Sequence, residues 1–343
     1  MLERESNINV QYIRIHMSLS KDSVSYELRT KYGKFQVTFS ARRDRNTNAV
    51  VEFTVTVGSK RMECIQLTVP TKETGKTEAK LLWVESDDAC SMERYIEKGM
   101  AQHMVLIGLT LIRLINSSVK RVTFDDTSSF SCTVPNSMNY LRKKTSNNDG
   151  KLTVPMKPFH IAFHEATWYE YYFDAKLVKD HEKYIKLKEN IHNPNNKPIR
   201  KKENKEPPFN FINEQLQEEL NPLYDQTKTW YEFFQAIEKK YKKDKCAVIY
   251  PWLTSAMSMI FEGNLYETPK WYIDLEENAQ KNKTPMLNIH PTRNLKRITG
   301  GRRHTRKNRK GSKFSYDKVY LFPHIRKIQE WDYKGFLSRP RED

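Results

Sequence analysis

The sequence predicts an α+β fold: a mixed, largely antiparallel sheet with a central β–α–β unit, an aromatic helical region and a basic tail. Three observations carry this. Residues 9 to about 86 form a series of Val-, Ile-, Thr-, Tyr- and Phe-rich runs with partial alternation. The stretch 97–118 is helix-like and apolar on nearly every side, and strand-like runs flank it. From residue 208 onward the pattern turns helical and aromatic. With 343 residues, 38% hydrophobic and 12% aromatic, the chain can bury a sizeable core.

Taken in order, the first strands are NVQYIRIHMSLS, SVSYELRT, KFQVTFSA, AVVEFTVTVGS, MECIQLTVP and AKLLWVES. Turn signals at Tyr32-Gly33-Lys34, Arg43 to Asn46 and Gly58-Ser59-Lys60 predict antiparallel hairpins. The helix EKGMAQHMVLIGLTLIRLINSS places Met104, Val105, Ile107, Leu109, Leu111, Ile112 and Ile115 around its circumference, so it needs cover on most sides. KRVTFDDTSSFSC reads as the next strand, ending in polar residues, and as a parallel neighbour of the strand before the helix. PFHIAF reads as a further strand. A helix opening at Thr167 follows, and after it helix and linker rather than a closing β-hairpin. HNPNNKPIRKKENKEPP, with four prolines and almost nothing apolar, is the linker candidate. The resulting division is an α+β domain over 1–190, a linker over 191–208 and a mostly helical region over 209–292. A basic flexible segment over 293–316 and a C-terminal segment over 317–343, apolar enough to dock back, complete the chain.

The tetrapeptide Thr-Trp-Tyr-Glu occurs twice, at 167–170 and 229–232. Thr-x-x-Glu is a capping box. The Thr hydroxyl accepts from the backbone N–H three residues on, and the Glu carboxylate accepts from the Thr backbone N–H. Apolar residues recur at helical spacing after each copy, so both read as helix starts with Trp anchoring a buried face.

Composition removes several classes of function. No stretch approaches the roughly 20 apolar residues of a membrane span, and the longest candidate carries Arg113. The N-terminus is charged and lacks a signal-peptide apolar run, which predicts an intracellular chain. Cys64, Cys90, Cys132 and Cys246 form no CxxC pair, so the expectation is free buried thiols in a reducing compartment. His160 and His164 are four apart with His181 nearby, but the strand-like context and the lack of an HExxH motif predict no metal.

Net charge is +17, and ten Lys/Arg with no Asp or Glu fall between Arg293 and Lys313. The densest run contains Arg302, Arg303, Arg306, Lys307, Arg309 and Lys310. Such a stretch predicts salt-dependent binding to nucleic acid or another anionic partner, without sequence-specific readout. A nuclear-import signal and a solvated tail are the other readings.

The order of strands, loop, helix, strand and Tyr-bearing helix resembles the GCN5-related N-acetyltransferase fold. The loop of that family, [Gln/Arg]-x-x-Gly-x-[Gly/Ala], matches Ile96 to Ala101. The resemblance implies that Lys98, Gly99, Met100 and Ala101 would hold the acetyl-CoA pyrophosphate. It makes Glu85 the candidate base and Tyr169 the acid for the leaving thiolate. The phrases IAFHEATWYEYYFDAKL, TFDDTSS and GGRRHTRKNRKGSK, with heavy Asn/Lys usage, are also similar to proteins of large nucleocytoplasmic DNA viruses. Position 96 holds Ile where the pattern has Gln or Arg, and Glu97 brings negative charge to the loop. The leading expectation is therefore a virion-associated protein of the host cytoplasm or nucleus. Its acetyltransferase-like scaffold would be catalytically degenerate and need no cofactor, its basic segment would bind nucleic acid, and virion proteins would be further partners. The alternative is an active acetyl-CoA-dependent N-acetyltransferase.

Overall fold

Alternation between buried and half-buried residues shapes the first strands: β1 (Ser23–Thr30), β2 (Gly33–Arg43), β3 (Val50–Gly58), β4 (Glu63–Pro70) and β5 (Glu78–Val84). The computed structural model describes residues 23–30, 32–85, 90, 92, 100–138, 150–199, 214–263, 270–280 and 295–297. Each of the first strands pairs antiparallel with the next. Tyr26, Phe39, Val55, Leu67 and Leu81 lie on the buried face. On the other face Ser25 and Thr38 share a hydrogen bond of 2.9 Å across β1 and β2. The first expected strand, residues 9–20, lies outside the described residues.

Helix α1 (Met100–Ile115) follows β5 and lies against β4 and β5. The approach is close at Gly108, where an added Cβ would stand 2.7 Å from Ile65 Cδ1 and 3.2 Å from Leu67 Cδ1. A glycine inside a helix costs about 1 kcal/mol against alanine, and here it admits the sheet. Beyond the helix, Asn116 Nδ2 donates to the Pro70 carbonyl at 2.9 Å. The chain then enters β6 (Arg121–Asp125), which runs parallel to β5. The expected β–α–β unit is present.

The run KRVTFDDTSSFSC is not one strand. It bends after β6, where the Asp126 carboxylate accepts from both the amide and the hydroxyl of Ser128. It resumes as β7 (Ser129–Thr133), which pairs with β8 (Lys151–Pro155) in a separate two-stranded sheet. PFHIAF is helical rather than extended and lies in α2 (Met156–His164). Pro158 falls in the first turn, where the missing N–H would have had no intrahelical acceptor.

Helix α3 (Trp168–Phe173) leads into the short β9 (Lys176–Leu177) and then α4 (His181–Lys188). Part of the expected linker is packed. Lys197 is 6% exposed, and its Nζ donates to the Tyr224 and Thr227 carbonyls at 2.6 and 2.8 Å. The helical region comprises α5 (Glu214–Gln226), α6 (Trp230–Tyr241), α7 (Lys245–Ile249) and α8 (Leu253–Ile260). Trp230, Phe233, Phe234 and Trp252 are wholly buried there. Buried residues form one continuous cluster from Val24 to Leu275, spanning sheet and helices.

The chain next returns to the sheet. Strand β10 (Lys270–Asp274) lies between β6 and β9, antiparallel to both, and α9 (Leu275–Gln280) follows. A closing antiparallel pair therefore does come after Tyr169, with residues 178–269 inserted between its arms. At the opposite edge β11 (Leu295–Arg297) pairs with β1, so this part of the basic stretch is a strand rather than flexible chain. The order of the large sheet is β11-β1-β2-β3-β4-β5-β6-β10-β9. Among the described residues no helix is long and apolar enough to cross a membrane.

The free-thiol expectation is overturned. Cys64 pairs with Cys90, and Cys132 with Cys246. Spacing along the chain could not reveal either pair, because the fold brings together cysteines 26 and 114 residues apart. The thiol argument for a reducing compartment goes with it. The Cys132–Cys246 bond ties β7 to α7, and closing so long a loop stabilises by roughly 2–4 kcal/mol. Cys132→Ser/Cys246→Ser is expected to lower the unfolding free energy by about that amount in urea titrations. Reductant should then have a smaller effect on the variant than on the parent.

Candidate functional site

Strands β5 and β6 are parallel, and their pairing covers only Glu78–Lys80 against Arg121–Thr123. Beyond that point β5 stays paired with β4 up to Val84 opposite Ile65. Likewise β6 stays paired with β10 up to Asp125 opposite Lys270. Each strand keeps its outer neighbour and leaves the other. A register shift falls in the same stretch, where Gln66 pairs with Trp83 but Leu67 pairs with Leu81. The extra residue, Leu82, is 49% exposed. A bulge of this kind re-aims side chains and ends pairing. Carboxyl ends of parallel strands that part in this way form a crevice suited to ligands.

Glu85 stands at the end of β5. Its amide donates to the Cys64 carbonyl at 2.7 Å, and the residue is exposed. The Cys64–Cys90 bond ties β4 to the chain that leaves Glu85. Of the expected phosphate loop, Lys98 and Gly99 lie outside the described residues. Met100 opens α1, and Ala101 is half-buried on it.

Tyr169 stands at the end of β6. It is 8% exposed, and its ring lies 4.3 Å from that of Phe124. Burial first, and the nearby Asp126 second, push the phenol above its ordinary range, so the hydroxyl stays protonated. Its orientation follows from the cap. Thr167 Oγ1 accepts from the Glu170 amide at 3.1 Å, and the Thr167 amide donates to Glu170 Oε2 at 2.6 Å. Glu170 also accepts from the Tyr184 hydroxyl at 2.5 Å and from Lys188 Nζ at 3.0 Å. One carboxylate thus caps α3 and ties it to α4. The second capping box is also formed, at Thr229 and Glu232. There Tyr231 is half-buried beside His192, with ring centroids 4.7 Å apart. The same four letters place one tyrosine against the end of β6 and the other away from it.

Asp126, Lys157 and the bonds of Glu170 to Tyr184 and Lys188 were not foreseen from the sequence. Asp126 is 6% exposed, and its Oδ2 is buried with no hydrogen-bond partner among the described residues. Burial holds its carboxyl above the usual range, with Ser128 and Lys157 opposing the shift and Glu170 adding to it. Lys157 is pushed down by burial and partly restored by Asp126. The Asp-Asp pair at 125–126 was the available signal, but at a strand end it reads as a solvated turn.

His160 and His164 share one face of α2 with rings 4.4 Å apart, while His181 accepts from the Leu177 amide on a different element. Among the described residues no group of three or more His, Cys, Asp or Glu is placed to hold a metal ion. Arg302, Arg303, Arg306, Lys307, Arg309 and Lys310 lie outside the described residues.

No family model matches the chain, and no curated protein or solved structure matches it at a significant level.

The two histidines give the fold an acid-sensitive point. Burial is the first cause in both, lowering His160 to about 3 and His164 to about 4. The unfolded chain, with histidines near 6.5, takes up these protons first as pH falls. Their contribution is complete above pH 6.5 and is lost progressively as pH drops through 4 toward 3, on the order of several kcal/mol together. Urea unfolding at pH 7.5 and 4.5 should show the loss, and His160→Gln/His164→Gln should flatten the pH dependence.

Proposed function

We propose that the chain is an acyl-CoA-dependent N-acyltransferase built on a scaffold of the GCN5-related kind. The observation that carries this is the parting of β5 and β6, each held by its outer neighbour, at the end of the sheet where α1 begins and Tyr169 packs. A gap between two carboxyl ends suits the narrow pantetheine arm of acetyl-CoA. The start of α1 supports a pyrophosphate site, because the first N–H groups of a helix have no intrahelical acceptor. Lys98, Gly99, Met100 and Ala101 would be its loop. The closing pair β9–β10 after Tyr169 supports the resemblance further.

In this reading the chain's residues divide the proton traffic. Tyr169 keeps a protonated hydroxyl by burial and gives that proton to the departing thiolate. The Glu170 clamp holds α3 so that the hydroxyl stays aimed. A carboxylate at the carboxyl end of β5 or β6 takes the amine proton. Acetyl-CoA supplies the activated acyl carbon.

Calorimetric titration of the full chain with acetyl-CoA should give heat of binding, and melting temperature should rise with ligand by mass action. No heat and no shift at millimolar ligand would sink the enzyme reading. Tyr169→Phe should keep the binding and slow thiol release by roughly a hundredfold or more.

A second reading keeps the scaffold without turnover, in a viral, virion-associated protein that works through residues 293–313. The charge distribution favours it, with ten cations and no acid in that stretch. DNA binding by the full chain should fall steeply between 50 and 200 mM salt, as counterion release requires. Deleting 298–313, which spares β11, should flatten that slope. Equal slopes in the two proteins would refute a role for the segment.

A further inference from the structure

Acyl transfer to an amine needs a proton acceptor, and the crevice offers a second one. Asp126 follows β6 as Glu85 follows β5, but the two differ in setting. Glu85 is exposed, whereas Asp126 is 6% exposed. The Ser128 amide and hydroxyl both donate to Asp126 Oδ1, which fixes the carboxylate. The other oxygen, Oδ2, is buried without a partner among the described residues. Buried polar atoms are nearly always paired, so an orphan of this kind calls for an explanation.

It is not isolated. Trp168 Nε1 and Trp271 Nε1 are likewise buried without partners among the described residues. The Trp168 ring lies 4.8 Å from that of Tyr169. Trp271 is the cross-strand partner of Phe124, on which Tyr169 packs. Both tryptophans thus neighbour the Phe124–Tyr169 pair, one by ring packing and one by strand pairing. Of the three orphan atoms two are donors and one is an acceptor, and a polar substrate entering the crevice would supply what they lack.

We propose that Asp126 Oδ2, rather than Glu85, accepts the proton from a primary-amine substrate, an inference that rests on the acyl-CoA reading. The amine nitrogen bonds to the acyl carbon as the carbon–sulfur bond breaks. The amine proton passes to Asp126 Oδ2. The electron pair of the broken bond leaves on sulfur, and Tyr169 protonates it. Asp126 then returns its proton through solvent to the Tyr169 oxygen, which restores both groups. Burial raises the basicity of the carboxylate, against the opposing pull of Ser128 and Lys157.

The test uses the full chain with acetyl-CoA and three acceptors: putrescine, a lysine peptide and a peptide with a free N-terminus. Thiol release and acetyl-CoA binding are read in parallel. Asp126→Asn should bind acetyl-CoA as the parent does and lose about a hundredfold or more in turnover. Asp126→Glu, with a displaced carboxylate, should fall between Asn and the parent. If the parent gives no binding heat, both the acyl-CoA reading and this assignment fall. If the parent turns over and Asp126→Asn does so equally well, the assignment alone falls. Binding by the parent without turnover on any of the three amines also overturns it. Should Asn at 126 prevent folding, Glu85→Gln decides, since a hundredfold loss there returns the role to Glu85.

Discussion

The fold depends on one crossover. An apolar helix, α1, leaves the end of β5 and lies against β4 and β5 so closely that a Cβ at Gly108 would press on the tips of Ile65 and Leu67. The chain must then come back beside β5 in the same direction, because a short return would be antiparallel and a helical one is not. This makes β5 and β6 the parallel neighbours in a sheet of otherwise antiparallel pairs. Their carboxyl ends emerge together. One leads to the start of α1 and the other to Asp126 and Tyr169. The crevice is thus a product of the connection, and its residues come from both sides of the crossover.

The parting of the two strands has a local cause as well. Strand β5 carries a bulge at Leu82, and β6 is held on its far side by β10. Pulled by different neighbours and given a different twist, the strands cannot stay in register to their ends. A carboxylate at the end of each strand then meets a different environment. Glu85 faces water while Asp126 is enclosed beside aromatic rings, and the same functional group acquires different chemistry.

Local features were the ones legible in the sequence. Period-two runs gave β1 to β5, and the all-round apolar stretch gave α1 and its flanking strands. Thr167 and Thr229 announced their helices because a capping box is complete within four residues. What stayed hidden was decided by distant partners. β9 and β10 are short and lie on either side of residues 178–269, so neither signals the other. The same holds for the disulfides. PFHIAF is short and apolar enough to suit strand or helix, and periodicity does not separate the two at that length. Tyr169 was singled out through its motif. The further duty of Glu170 depends on Tyr184 and Lys188, which lie 14 and 18 residues further along. Asp126 looked like a turn residue because nothing beside it in sequence foretells its burial.

The late return of β10 also bears on how the chain is made. During synthesis β6 emerges well before the strand that will cover its outer side. Until residue 274 has left the ribosome, that edge presents a row of unpaired backbone groups, a template for unwanted pairing. The aromatic cluster of Trp230, Phe233, Phe234 and Trp252 can assemble in the interval, since its members are close in sequence. A locally formed helical unit then delivers β10 to the waiting edge, and β11 follows at the far edge. Nascent chains stalled between residues 126 and 270 would be the form of this protein most exposed to aggregation.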